Sequence, residues 1–198
     1  MISTSRFEKR YIRELARSIR ARRIVEVGAF KGETTALLSA VAAENGGYVV
    51  AVDPMRWASA PASLGEHLDA WLHPFSYERA FWKNVRRSGA DNVRLYRVTS
   101  DDPALLRSTA EELQEFDLAF IDADHSYAGA SRDLALWGGR VVTGGLILMH
   151  DVRARFPGVR RLFRERAQSA AYRALWPVAG SVGVLQVLPR APLMRASA

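Results

Sequence analysis

Phe7, Tyr11, Ile12, Leu15 and Ile19 recur at helical spacing among arginines and glutamates, which predicts an amphipathic helix within residues 1–22. Five short runs follow: RIVEVG (23–28), YVVAVD (48–53), VRLYRV (93–98), DLAFID (117–122) and GLILMHD (145–151). All but the third are nearly continuous apolar stretches, the pattern of parallel strands covered on both faces. Helical spacing returns between them, over 32–44, 77–89, 104–114 and 126–138. Strand alternating with helix predicts a doubly wound, Rossmann-like α/β sheet with its helices distributed over two faces. After Asp151 the pattern changes. A basic helix over about 159–170 leads to YRALWPVAG and SVGVLQVLP, two strand-like runs joined at Gly180-Ser181. So short a turn permits only an antiparallel hairpin. The expectation is a seven-stranded sheet, five parallel strands plus a C-terminal antiparallel hairpin.

One segment breaks the alternation. Residues 55–76 are rich in Ala, Pro and Ser and carry Trp57, Trp71 and Phe75. Connections longer than about 12–15 residues are usually functional or disordered, and this one leaves the C-terminal end of a strand, where open α/β sheets bind ligands. It reads as a lid. The 198 residues fit one domain spanning 1–198, with a loose tail at 190–198.

Composition narrows the field. Apolar content of 48% and charged content of 25% are those of an ordinary soluble protein. No run approaches the ~20 apolar residues of a membrane span, and the N-terminus lacks the apolar centre of a secretory signal. A cytoplasmic protein with no membrane partner is expected. The absence of cysteine excludes disulfides, iron–sulfur clusters and thiolate zinc sites. The net charge of +7 is mostly arginine, densest over 153–167. That stretch lacks the interleaved aromatic platform of a single-strand binder and reads as a solvated helix face, so a nucleic-acid partner is not expected.

The candidate chemistry lies where the strands end. In VEVGAFKGETT (25–35) a buried strand runs into Gly28, Phe30 and Gly32, and a helix begins with Thr34 and Thr35. Glycines let a backbone turn sharply against a ligand, and a helix start offers unpaired N–H groups. The glycines do not follow the G-x-G-x-x-G of a dinucleotide site, and Glu26 two residues earlier would repel phosphate and suit a cation or amine. The next strand ends in Asp53, where nucleotide-binding α/β folds place an acceptor for ribose hydroxyls. Together these point to a ligand with a ribose and a positive charge but no pyrophosphate. In FIDADHSY (120–127) and LILMHD (146–151), Asp122 closes one strand and His150 with Asp151 another. On neighbouring strands such ends lie about 4.8 Å apart, and converging carboxylates require a cation, a proton or a donor.

VEVGAFKGETTALL, VVAVDP, LYRVTSDD and the long FIDADHSYAGASRDLALWGGRVVTGGLILMHD segment resemble the ordered motifs of class I S-adenosylmethionine-dependent methyltransferases. The closest resemblance is to the small-molecule O-methyltransferase branch with sugar-modifying and antibiotic-tailoring members, over roughly residues 20–188. It implies that Glu26, Gly28 and Gly32 line the methionine part of the cofactor, with Phe30 and Thr34 in the same turn. It implies Asp53 on the ribose, Thr99, Ser100 or Asp101 near the adenine, Met55 or Trp57 over the adenine face, and Asp122 beside the cofactor. Relatives hold a divalent ion between one acid from the first strand end and two acidic or amide residues from the second, and such an ion would activate an acceptor hydroxyl.

This chain departs from the acidic pair at His150, which leaves two readings. Asp122, His150 and Asp151 hold Mg²⁺ or Mn²⁺, the histidine favouring the softer ion. Alternatively no metal is needed, and His150 is a general base oriented by Asp122 or Asp151. His125, Tyr127 and Trp57 are candidate substrate contacts, His67 and His73 sit in the lid, and Asp124 reads as a helix cap. The implied activity is methylation of a small-molecule hydroxyl, a sugar first and a catechol-like or polyketide phenol second. RNA methylation is a second enzyme reading, a non-catalytic cofactor-binding member of the fold is the reading from a different class, and a nicotinamide dehydrogenase ranks last. Apolar residues in the lid and first helix would allow a homodimer.

Overall fold

A computed structural model describes residues 4–55, 76–153 and 155–189. Most of the predicted lid, with Trp57, His67 and His73, and the tail at 190–198 lie outside the described residues. The chain runs α1 (Arg6–Ser18), β1 (Arg23–Val27), α2 (Glu33–Glu44), β2 (Tyr48–Val52), α3 (Ser76–Arg87), β3 (Val93–Tyr96), α4 (Pro103–Leu106), β4 (Phe116–Ile121), α5 (Tyr127–Leu136), β5 (Val141–Met149), α6 (Pro157–Ala167), β6 (Tyr172–Ala179) and β7 (Val182–Val187). The sheet order is β3-β2-β1-β4-β5-β7-β6. Strands β1 to β5 are mutually parallel. The final hairpin is antiparallel, as expected, and β7 slots between β5 and β6. Six strands therefore share one direction and β7 alone runs against them.

The unbroken apolar runs have a direct cause. Successive residues of a strand face opposite sides of the sheet, and here both sides are covered. Val25, Ala119 and Ile147 join the core on one side, whereas their neighbours Ile24, Leu118 and Leu146 join the core on the other. Helix α1 belongs to the second side. Ser5 and Glu8 form a reciprocal capping box at its start, and Ile12 and Ala16 are wholly buried. Burial of a side chain the size of Ile12 contributes about 1.5–3 kcal/mol. No helix among the described residues is long and apolar enough to cross a membrane.

Two predicted elements change length. The helix expected over 104–114 stops at Leu106, and only a 3-10 turn forms at Glu111–Leu113. The Arg140 guanidinium donates to the carbonyls of Leu113 (2.7 Å) and Leu106 (3.4 Å), and the Ser108 hydroxyl accepts the Ala110 N–H. Tertiary and local partners thus take groups that a continuous helix would have paired internally. Strand β5 instead begins earlier, at Val141, because the pairing of β4 with β5 shifts register between Phe116 and Leu118 and absorbs the Gly144-Gly145 irregularity.

Candidate functional site

The parallel strands end level with one another. Val27 of β1 pairs with Ile121 of β4, which pairs with Met149 of β5. The ladder continues one step further, with the Asp122 N–H donating to the Val27 carbonyl (2.8 Å) and the His150 N–H to the Ile121 carbonyl (3.0 Å). Asp122 and His150 are therefore held by sheet hydrogen bonds, although each follows the last residue of its strand.

A cavity of about 670 Å³ opens above these ends. One wall is the β1–α2 turn, where Gly28 has φ +90° and Phe30 and Gly32 are also left-handed. Gly28 is packed so tightly on β4 that a Cβ there would lie 2.4 Å from the Asp122 carbonyl oxygen. The Asp53 carboxylate organises this wall, since its Oδ2 accepts from the Phe30 N–H (2.8 Å) and its Oδ1 from the Met55 N–H (2.7 Å). Burial raises the Asp53 pKa, and those backbone donors offset part of the rise. Each oxygen keeps a second lone pair for a ligand hydroxyl.

The sequence-predicted residues divide in two. Gly28, Phe30, Asp53, Met55, Ser100, Asp101, Asp122 and His125 line the cavity, together with Thr99. Glu26, Gly32 and Thr34 do not line it. Glu26 is 1% exposed and accepts a hydrogen bond from the Thr35 hydroxyl. Burial pushes its carboxyl well above the usual range, and the nearby charges of Asp122 and Asp53 add to the rise. Tyr127 is turned away, its hydroxyl donating to Glu165 at 2.6 Å. Asp124, expected as the helix cap, instead lines the cavity and accepts the Ser126 N–H at 2.8 Å in a turn before the helix; the cap of α5 is Ser126, whose hydroxyl accepts the Gly129 N–H at 3.0 Å.

Asp133 on α5 was not singled out in the sequence. It lines the cavity, is 0% exposed, and accepts from the Ser100 hydroxyl on one oxygen while its Oδ2 has no hydrogen-bond partner. Burial raises its pKa. A signal was present: Asp133 lies on the same helical face as buried Ala130, Leu134 and Trp137, and an unpaired acid on an apolar face is costly unless it binds something.

The acids and histidines converge at the other end. The His125 Nε2 lies 2.9 Å from the Asp151 Oδ2 and 3.8 Å from the Asp122 Oδ1, and its ring packs on Phe156 with centroids 4.2 Å apart. Asp151 has a left-handed backbone, φ +59°, unusual for a residue with a side chain. The His150 Nδ1 lies 3.2 Å from the Asp122 Oδ1 and 3.5 Å from the Asp151 Oδ2, close enough for ion pairing but without hydrogen-bond alignment. On its other edge the Nε2 meets the Ser181 hydroxyl at 3.1 Å.

Charge distributes accordingly. Burial alone would lower the His150 pKa, but Asp122 and Asp151 outweigh it and raise it to about 10. Burial alone would raise Asp151, but His125 and His150 hold it far below the ordinary carboxylate range. Asp122 is raised, chiefly by burial and partly offset by His150. The two carboxylates thus favour the protonated form of His150.

Asp122, His125 and Asp151 each turn one ligand-type atom to within 4.8 Å of the others. Two carboxylate oxygens and an imidazole nitrogen suit a hard or borderline divalent ion such as Mg²⁺ or Mn²⁺. The three are also partly exposed, with side-chain accessibilities of 22%, 25% and 17%, against 3% for His150. His125 completes this open group, while the more buried His150 Nδ1 stands against the same two carboxylates.

Residues 25–152 match the family described as a methyltransferase domain. The chain belongs to that family. Among solved structures, the O-methyltransferase TomG from Streptomyces achromogenes, in complex with S-adenosylmethionine, superposes with a TM-score of 0.70 at 17% identity, covering 95% of this chain and 82% of that one. Cofactor-bound Rv0187 from MTB gives 0.69 at 20% identity, over 96% and 83%. The O-methyltransferase from Bacillus cereus in complex with S-adenosylhomocysteine gives 0.65 at 22% identity, over 94% and 83%. No curated protein matches. The methyltransferase sheet and its ordered motifs stand as the sequence predicted.

Proposed function

We propose that the protein is an S-adenosylmethionine-dependent O-methyltransferase acting on a hydroxyl of a small molecule. The observation carrying this reading is that one cavity reaches from the Asp53 carboxylate, suited to a ribose, to the Asp122–His125 end, suited to handling a proton. Asp53 accepts the ribose hydroxyls, Gly28 lets the cofactor lie against the backbone, and Ser100 and Asp101 flank the adenine. The unpartnered Asp133 Oδ2 supplies a polar contact in the same region. A cofactor ammonium above buried Glu26 would counter the burial that raises its pKa and favour its charged form.

An alcohol or phenol attacking a sulfonium methyl must lose its proton, and the protein's main task is otherwise alignment and exclusion of water. His125 is the better-placed acceptor of that proton. It lines the cavity with Asp151 beside it to stabilise the imidazolium, whereas His150 is only 3% exposed and turns its Nε2 to Ser181. A divalent ion held by Asp122, His125 and Asp151 would lower the pKa of the acceptor hydroxyl; His125 could then not also serve as base. A sugar hydroxyl is preferred over a phenol as acceptor, because an alcohol needs more activation than a phenol and this cluster offers it.

Calorimetry with S-adenosylhomocysteine, with and without Mg²⁺ or Mn²⁺, tests the cofactor and the ion separately. Methyl transfer to a panel of saccharides and catechols then tests the acceptor. Absence of any S-adenosylhomocysteine binding would sink the reading. Binding without transfer to any acceptor would favour the non-catalytic alternative.

A further inference from the structure

Behind the acid–histidine cluster lies a second polar assembly that none of the roles above uses. Its centre is Glu8 of α1, a 6% exposed carboxylate inside a helix face otherwise committed to the core. The Glu8 Oε2 accepts the Ser5 N–H at 2.8 Å as part of the capping box. Its Oε1 does something a cap does not require. It accepts both the backbone N–H (2.6 Å) and the hydroxyl (2.8 Å) of Ser181, 173 residues away in the β6–β7 turn. Gly180, with φ +61°, lets the turn approach so closely that a Cβ there would stand 2.4 Å from the Glu8 Oε1.

Ser181 is where three chain segments meet. Besides Glu8, its carbonyl accepts the Val152 N–H at 3.0 Å, next to strained Asp151, and its hydroxyl lies 3.1 Å from the His150 Nε2. Hydrogen-bond polarity then follows from counting protons. A serine hydroxyl has one hydrogen, and here it points to the Glu8 carboxylate, which can only accept. Toward His150 the Ser181 oxygen is left with lone pairs, so the imidazole must be the donor.

We propose that Glu8 and Ser181 are positioning residues of the methyl-transfer site, forming a buried relay, Glu8 to Ser181 to His150, that fixes the histidine as an Nε2–H donor facing away from the cavity. The relay holds the Nδ1 edge against Asp122 and Asp151 and so keeps these carboxylates gathered on the cavity side. It also makes docking of the N-terminal helix a condition for an ordered site. The placement rests on the function proposed above, but its hydrogen bonds can be read without turnover.

The test is a long-range proton–nitrogen correlation spectrum of the histidines in the protein saturated with S-adenosylhomocysteine. In the parent, His150 is expected to show a slowly exchanging Nε2–H. In Ser181→Ala this proton should exchange about ten-fold faster or vanish, the factor a lost hydrogen bond carries. Ser181→Thr, which keeps the hydroxyl, should restore it, and rescue by a hydroxyl separates positioning from bulk packing. Glu8→Ala should reproduce the Ser181→Ala spectrum. A parent spectrum with hydrogen on Nδ1 alone, or an Nε2–H signal unchanged in Ser181→Ala, would overturn the relay. Failure of the parent to bind S-adenosylhomocysteine would instead count against the proposed function and leave the same spectrum to be read in the free protein.

Discussion

The sharpest check on the site's construction is Gly28→Ala, which adds one methyl group. The new Cβ would sit 2.4 Å from the Asp122 carbonyl oxygen, 2.6 Å from its carbon and 2.8 Å from the Ala123 Cα. All three are backbone atoms, so no side chain can swing aside. Relief requires the β1 turn and the end of β4 to part by about 1 Å to reach ordinary contact distance. That movement strains two bonds, Asp122 N–H to the Val27 carbonyl at 2.8 Å and Gly28 N–H to the Val52 carbonyl at 3.0 Å, each worth about 1 kcal/mol. Holding alanine at φ +90° adds about 1–2 kcal/mol. The expected loss is about 3 kcal/mol, or a melting temperature lower by about 6–12 °C for a chain of this size. Because the displaced residue is Asp122, S-adenosylhomocysteine affinity should fall together with stability, by about ten-fold or more. Differential scanning calorimetry and titration calorimetry on the same preparation measure both. A Gly28→Ala protein that melts within about 2 °C of the parent and binds equally well would refute the tight packing of these two strand ends.

Other expectations concern single side chains. Burial would raise the Glu8 pKa, but hydrogen bonds from Ser181 and Ser5 outweigh it and bring it to about 2, below an ordinary 4.5. A depressed carboxylate stabilises the fold fully above pH 4.5 and loses that contribution as pH falls through 2. Parent and Glu8→Gln should therefore differ by up to about 3 kcal/mol at neutral pH and converge toward pH 2 in urea melts. His125→Ala should lower kcat by about 10²–10⁴ with S-adenosylhomocysteine affinity nearly unchanged; full turnover would remove the proposed base. Asp133→Asn keeps the shape but converts the open oxygen into either an amide donor or a weaker acceptor. It should weaken S-adenosylhomocysteine binding by about ten-fold, and equal affinity would mean that Asp133 only holds Ser100.

Much of this architecture is legible along the chain, because a parallel sheet buried on both faces writes itself as unbroken aliphatic runs and its crossover helices as a changed period. Asp53, Asp122 and Asp151 are conspicuous for a local reason: a charge directly after an apolar run needs an explanation wherever it folds. The class of fold, the five parallel strands with their closing hairpin and the acids at the strand ends are therefore readable before any coordinates; the strand order that sets β4 beside β5 is not. Which histidine faces the cavity is not. His125 and His150 both follow apolar strands next to an aspartate, and local pattern treats them alike. Packing separates them, because β7 inserts beside β5 and brings Ser181 and Glu8 up behind His150, burying it, while Phe156 props His125 at the open side. Glu8 looks like a routine helix cap from its neighbours alone. Only the meeting of residues 173 positions apart gives its carboxylate a second role, since hydrogen-bond polarity belongs to the assembled contact and not to either segment.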